Sequence, residues 1–153
     1  MDSAEKERLE ALYEARVDTQ NLELDGYAER WEYLCDLVIE KGGELVIPPL
    51  LSEVRVETLI RRGQLFEPSE YGVMSVEGEP SHCHDNVAEL WRRGVIEHVV
   101  TGYALSDDGL WRSHSWGVRS DGYLVETTVE RVRYFGVVLS DAEAFEFASG
   151  LGA

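Results

Sequence analysis

The sequence predicts an α+β fold in which an antiparallel sheet is packed by a central helix, with additional helices on the N-terminal side. Three observations carry that prediction. Apolar residues recur at helical spacing over 3–16 and again over 26–41. Extended runs after residue 95 are separated by Ser-Asp-Asp-Gly and Arg-Ser-Asp-Gly, the Asp-Gly chemistry of tight hairpins. Those runs are flanked by helical segments on both sides, a helix–meander–helix order rather than alternating strands and helices.

The elements follow in chain order. SAEKERLEALYEAR (3–16) places Leu9, Leu12 and Tyr13 on one side, with Ser3 positioned to cap the helix. GYAERWEYLCDLVIEK (26–41) aligns Trp31, Leu34, Cys35, Val38 and Ile39, and Gly42–Gly43 stop it. Cys35 lies on that apolar stripe and reads as core packing. The Pro48–Pro49 pair breaks any regular element in ELVIPPLL, and EVRVETLIRRG (53–63), compatible with strand or helix, is assigned to a helix ending at Gly63. YGVMSV is a short strand or extended lead-in. From Pro80 the pattern sharpens. A helix from about Ser81 to Gly94 sets Cys83, Val87, Leu90 and Trp91 on one face, and extended runs follow at 96–105, 110–118 and 122–127. A fourth run, 132–139, leads through Ser140 and Asp141 into a terminal helix. At 153 residues this is one domain, with 1–79 as an N-terminal helical part and 80–153 as a helix-plus-meander core.

Composition narrows the function classes. Hydrophobic residues make up 44% of the chain, with four Trp and seven Tyr, which suits an ordered globule. Fourteen basic against thirty acidic residues give a formal charge of −16, and the acids are spread along the whole chain. Nucleic acid and anionic membrane surfaces would be repelled, so neither is expected as a partner; the acidity serves solubility. Only Cys35 and Cys83 are present, which fits reduced thiols in the cytoplasm better than a disulfide framework. MDSAEKERLEAL has no positive flank and no apolar stretch, so no signal peptide is expected, and no run approaches transmembrane length.

The chemistry concentrates at PSHCHDNVAELW (80–91). Cys83 falls in the first helical turn, where unpaired N–H groups and the helix dipole stabilise a thiolate. A lowered thiol pKa is what makes cysteine an effective nucleophile near neutral pH. Downstream, WRSHSWGV puts Arg112, His114, Trp116 and Val118 on one strand face by period-two alternation. Across the Arg-Ser-Asp-Gly hairpin, Glu126 comes near His114. A carboxylate there accepts from the second imidazole nitrogen, fixes the tautomer and stabilises the imidazolium. Nucleophile, base and acid thus arise in that order on a helix and two neighbouring strands.

A cysteine at a helix start, a His-x-Trp strand and an acid–Thr pair ending the next strand resemble the transglutaminase-like branch of papain-like cysteine enzymes, over roughly residues 80–139. The resemblance implies Cys83 as nucleophile, His114 with Trp116 as the base strand, and Glu126 with Thr128 as the acid element, where the family more commonly has Asp. Papain-like relatives often complete the oxyanion hole with a Gln ahead of the cysteine. Gln64, 19 residues ahead of Cys83, is the nearest upstream Gln here, and Asn86 or helix-start N–H groups are the other candidates. Trp116 would line a groove beside the site. The activity implied is cofactor-free acyl transfer on an amide or ester: hydrolysis, deamidation or a transglutaminase-like reaction. The small chain favours a protein or peptide substrate.

Other readings stand beside this one. Cys83 and His114 could each be core residues, and Glu126 a solvated strand end. His82, Cys83, His84 and His114 offer nitrogen and sulfur donors suited to zinc, but consecutive residues point in different directions and no CxxC or HxxxH pair supports them, so no metal is expected. His98 is structural, and Asp107–Asp108–Gly109 is turn chemistry. The rival from another class is a non-catalytic acidic interaction module that docks a basic protein.

Overall fold

In the computed structural model, which describes residues 1–49 and 56–150, six helices accompany a seven-stranded sheet, so the α+β class holds. Helix α1 (Ser3–Glu23) is capped by Asp2, not Ser3: the Asp2 carboxylate accepts from Glu5 N–H at 2.8 Å. Its expected apolar side is not the buried one. Leu12 stays exposed, and Val17 and Gln20 are the residues it buries, with the Gln20 amide donating to Pro49 O at 2.8 Å. Helix α2 (Tyr27–Ile39) buries Tyr27, Trp31, Leu34 and Val38, close to the expected stripe. Next come β1 (Leu45–Val46), α3 (Val56–Arg62), β2 (Gln64–Phe66), α4 (Pro68–Tyr71) and β3 (Val73–Ser75). Residues 53–55 of the expected helix lie outside the described residues. Helix α5 (Cys83–Arg92) opens the second half, and β4 (His98–Leu105), β5 (Leu110–Val118), β6 (Leu124–Glu126), β7 (Arg133–Val138) and α6 (Asp141–Gly150) complete it.

Two expectations need correction. The first 79 residues are not only helical: β1, β2 and β3 all join the sheet, β1 parallel to β5 and β3 parallel to β6, so the sheet is mixed rather than antiparallel. Strands of two or three residues are too short to display a period in sequence. The downstream strands are also not a simple meander. The order is β2-β7-β4-β5-β6-β3, because β6 already has β5 and β3 on its two edges. The 127–132 link therefore carries the chain back across, Val132 N–H bonds Leu105 O at 2.8 Å, and β7 pairs with β4.

Alternation along the strands makes two faces with different covers. Val99, Tyr103, Trp111, Val125, Phe135 and Val137 belong to clusters with the helices, α2 and α3 at one end and α5 and α6 at the other. The opposite face carries Val100, Ala104, Trp116, Leu124 and Tyr134. There the sheet curls on itself: Phe66 of β2 lies 6.0 Å from Trp116 of β5, although β7 and β4 stand between those strands. Glycine makes room for the tryptophan. A Cβ on Gly136 would sit 2.7 Å from Trp116 Cη2 and 2.8 Å from Thr101 O, so no larger residue fits without displacement. Among the described residues no helix is long and apolar enough to cross a membrane.

Candidate active site

The cysteine is positioned by a tight lead-in. Ser81 takes a left-handed conformation, φ 61°, and His82 N–H bonds Glu79 O at 3.2 Å, turning the chain into α5 at Cys83. Asn86 ties this turn to β6. Its Oδ1 accepts from Glu79 N–H at 3.1 Å, while its Nδ2 donates to Glu79 O at 2.9 Å and to Thr127 Oγ1 at 3.3 Å. Gly78 N–H donates to Thr127 O at 3.1 Å. The helix start and the residue after Glu126 are thereby held together. Both ends of the Asn86 amide are engaged, so it is a clamp and not the oxyanion donor expected from sequence.

The sulfur meets β5 through a gap in its edge. One edge of β5 is paired by β4 throughout; the other carries β1 at Leu110–Trp111 and β6 at Gly117–Val118. Between those two, no strand pairs residues 112–116 among the described residues. Trp111 O accepts from Ile47 N–H on this edge, and odd residues of β5 continue to point their backbone groups the same way. Ser115 N–H is therefore free of a strand partner, and it donates to Cys83 instead. The Cys83 side chain also hydrogen-bonds the His114 imidazole.

His114 and Glu126 point into the curled face and are 2% and 1% exposed, which removes competition from water. His114 Nε2–H donates to Glu126 Oε1 at 2.8 Å, with Oε2 at 3.1 Å. Nδ1 is the nitrogen left for the thiol. The carboxylate has further donors: Tyr134 OH to Oε1 at 2.8 Å, and Thr128 N–H and Oγ1–H to Oε2, each at 3.0 Å. Tyr134 OH in turn accepts from Arg131 N–H at 3.2 Å. Trp116 stacks on the imidazole at 6.0 Å and 21°, with Tyr134 tilted against it at 6.1 Å.

Burial alone would raise the Cys83 thiol, but the His114 hydrogen bond and charge, with the Ser115 N–H, outweigh it and the Glu126 carboxylate, holding it below the ordinary value. Burial would lower His114, yet its bonds to Cys83 and Glu126 raise it. Glu126 is pushed up by burial and pulled further down by His114, Thr128 and Tyr134, so it is an anion at neutral pH. Burial and the adjacent Glu126 charge push Tyr134 well up, keeping its hydroxyl a donor. These directions together favour a thiolate–imidazolium pair backed by a buried carboxylate.

The structure thus brings Cys83, His114 and Glu126 together, along with Thr128. It separates the other candidates. Trp116 is fully buried, so it backs the imidazole and lines no open groove. Gln64 is exposed on the edge strand β2, where it pairs with Gly136, and makes no hydrogen bond to the site among the described residues. The donor left for an oxyanion is the Cys83 N–H, one of the first helical amides, which lack intrahelical acceptors. The histidines do not converge. His82 faces Asp85 at 3.6 Å near the surface, while His84 Nδ1 lies 2.5 Å from Ser115 Oγ, which donates on to Thr101 Oγ1. Among the described residues no three His, Cys, Asp or Glu side chains form a metal-binding group. Sequence reasoning missed Tyr134 as a partner of Glu126, because that contact depends on β7 returning to β4.

Comparison with known proteins found no matching family model, no matching curated protein and no matching solved structure.

Proposed function

We propose that this protein is a cysteine-dependent acyl-transfer enzyme of the transglutaminase-like, papain-like type. One observation carries the reading: a thiol at a helix start shares a hydrogen bond with a buried imidazole whose other nitrogen is held by a fully hydrogen-bonded carboxylate. Structural cores rarely bury three titratable groups in series, because each must be compensated. In the reaction, the Cys83 sulfur bonds the carbonyl carbon of an amide or ester while His114 Nδ1 holds the thiol proton. The tetrahedral oxyanion takes the Cys83 N–H. The bond to the leaving group then breaks, and the imidazolium gives its proton to the departing nitrogen or oxygen. Water or an amine attacks the thioester, His114 takes the proton of the attacker, and the thiolate departs. Hydrolysis, deamidation and cross-linking share this course and differ only in the acceptor. The substrate class is a protein or peptide side chain, and two free cysteines suit a reducing compartment such as the cytoplasm.

The test is acyl trapping. Incubation with activated acyl esters and peptide amides should leave an acyl mass on Cys83 that clears with time; Cys83→Ala should carry none, and His114→Ala should form it at least about a hundredfold more slowly. Absence of any adduct on the folded wild type, or equal acylation of His114→Ala, rejects the mechanism and favours the acidic interaction module.

A further inference from the structure

Beneath the sheet a second histidine meets β5, one residue along from the first. His84 Nδ1 lies 2.5 Å from Ser115 Oγ, which donates to Thr101 Oγ1 at 2.9 Å. Thr101 and Ser115 face each other across β4 and β5. Because the serine hydroxyl gives its proton to Thr101, it accepts from His84, so Nδ1 carries the ring proton. That bond holds in the neutral ring and in the cation alike. Phe147 of α6 meets the imidazole edge-on, at 6.0 Å and 74°, and sets its plane.

Packing alone does not call for this chain. It runs from α5 to β4 in the layer where Val87, Val99, Val125 and Ala144 form an apolar cluster, and Ser115 is fully buried. An apolar side chain would fill that layer without the cost of burying a hydroxyl. What the chain does is hold Ser115, whose backbone N–H donates to the Cys83 sulfur. Among the described residues no strand pairs 112–116 on that edge, so only β4 holds this stretch within the sheet. The bond from α5 supplies a second hold. Consecutive helix residues diverge by about 100°, and consecutive strand residues point to opposite faces. Cys83 therefore reaches His114 through the gap while His84 reaches Ser115 from below. Both pairs share one register, and a slip of α5 along β5 would break them together.

The geometry points to His84 as a positioning residue for acyl transfer: by holding Ser115, it keeps the Ser115 N–H on the Cys83 sulfur. This role rests on the acyl-transfer reading of Cys83. The charged groups that act directly on the sulfur are His114 and Glu126, while His82 and Asp85 face each other near the surface.

Alkylation of Cys83 by iodoacetamide across pH, in a Cys35→Ser background, tests it. His84→Ala should move the midpoint of the rate profile to higher pH. On the acid side the rate should fall by about tenfold, the scale of weakening one hydrogen bond to an anion. The alkaline plateau should not fall, because a more basic thiolate is no poorer a nucleophile. His84→Asn, which keeps an N–H donor near the Nδ1 position, should recover most of the acid-side rate. Ser115→Ala should reproduce the shift, and the double variant should be no slower than the slower single one, since one link is cut twice. An unmoved midpoint in His84→Ala, no recovery in His84→Asn, or additive losses in the double variant overturns the assignment. Should His84→Ala fail to fold, Ser115→Ala decides: an unmoved midpoint there overturns it. A low wild-type midpoint that His84→Ala leaves in place spares the acyl-transfer reading, whereas an ordinary thiol profile in the wild type rejects that reading and the role of His84 with it.

Discussion

Cys35 and Cys83 are both half-buried cysteines on helices that pack against the same sheet, and the protein drives their thiols in opposite directions. Cys35 lies within α2, where burial, then Asp36, then Glu32 disfavour a thiolate and push it up to about 12. Cys83 lies at the start of α5, where burial of similar extent is overcome by a hydrogen-bonded imidazole and a strand N–H. Burial is common to both. What differs is the sign of the neighbours: acids beside one, a positive partner and a free amide beside the other. Desolvation makes that difference count for more, since the same pairing in water would be screened.

Removing the positive partner should break the contrast. In a Cys35→Ser background, His114→Ala leaves Cys83 with burial and the Glu126 charge, both of which disfavour the thiolate. Alkylation by iodoacetamide near neutral pH should fall by about a hundredfold, and its pH profile should move to the alkaline side of an ordinary thiol. An unchanged profile would show that His114 does not activate the sulfur.

A smaller effect is expected one bond further away. Glu126→Gln keeps the shape but removes the charge that holds the imidazolium, and should slow alkylation by about tenfold. It should also change the pH dependence of stability. Glu126 is depressed in the folded state, so its contribution is full above the ordinary carboxyl pKa and is lost as pH falls through the folded value. His114 is raised, so its contribution is full below the ordinary imidazole pKa and is lost as pH rises through the folded value. Urea midpoints of the wild type should therefore be highest between those limits, and Glu126→Gln should flatten the acid side.

The smallest change sharpens the comparison. Tyr134→Phe deletes one of several donors to Glu126 and leaves Arg131 N–H without its acceptor, at a cost of about 1 kcal/mol in unfolding free energy. The alkylation rate should fall only a few-fold, because Thr128 still holds the other oxygen.

Much of the fold was legible where the signal is local. The stripe from Trp31 to Val38, the two Asp-Gly hairpins and the helix beginning near Cys83 all rest on spacings within a few residues. The three candidate side chains were legible for the same reason: α5, β5 and β6 are neighbours in sequence, and alternation fixes which face of β5 holds His114. What failed was non-local. Strands such as Val73–Ser75 become strands only because β6 offers them an edge. The bond from Tyr134 to Glu126 was not legible because nothing within β7 says that it will pair with β4. Asn86 read as a possible oxyanion donor because the loop at 77–79 that occupies its amide has no periodic pattern. Gln64 was near Cys83 along the chain and is not brought to it by the sheet.

The return of β7 to β4 has a consequence for timing. Glu126 gains its tyrosine donor only from the last strand, and Cys83 gains its imidazole only once β5 is seated between β4 and β6. Pairings between residues far apart in sequence are slow to form, because loop closure opposes them. A ribosome-bound chain that has exposed the cysteine but not yet released residue 134 carries a site short of a hydrogen bond that the finished protein has. On the acyl-transfer reading, the carboxylate of the proposed triad is therefore fully hydrogen-bonded only when the sheet is complete.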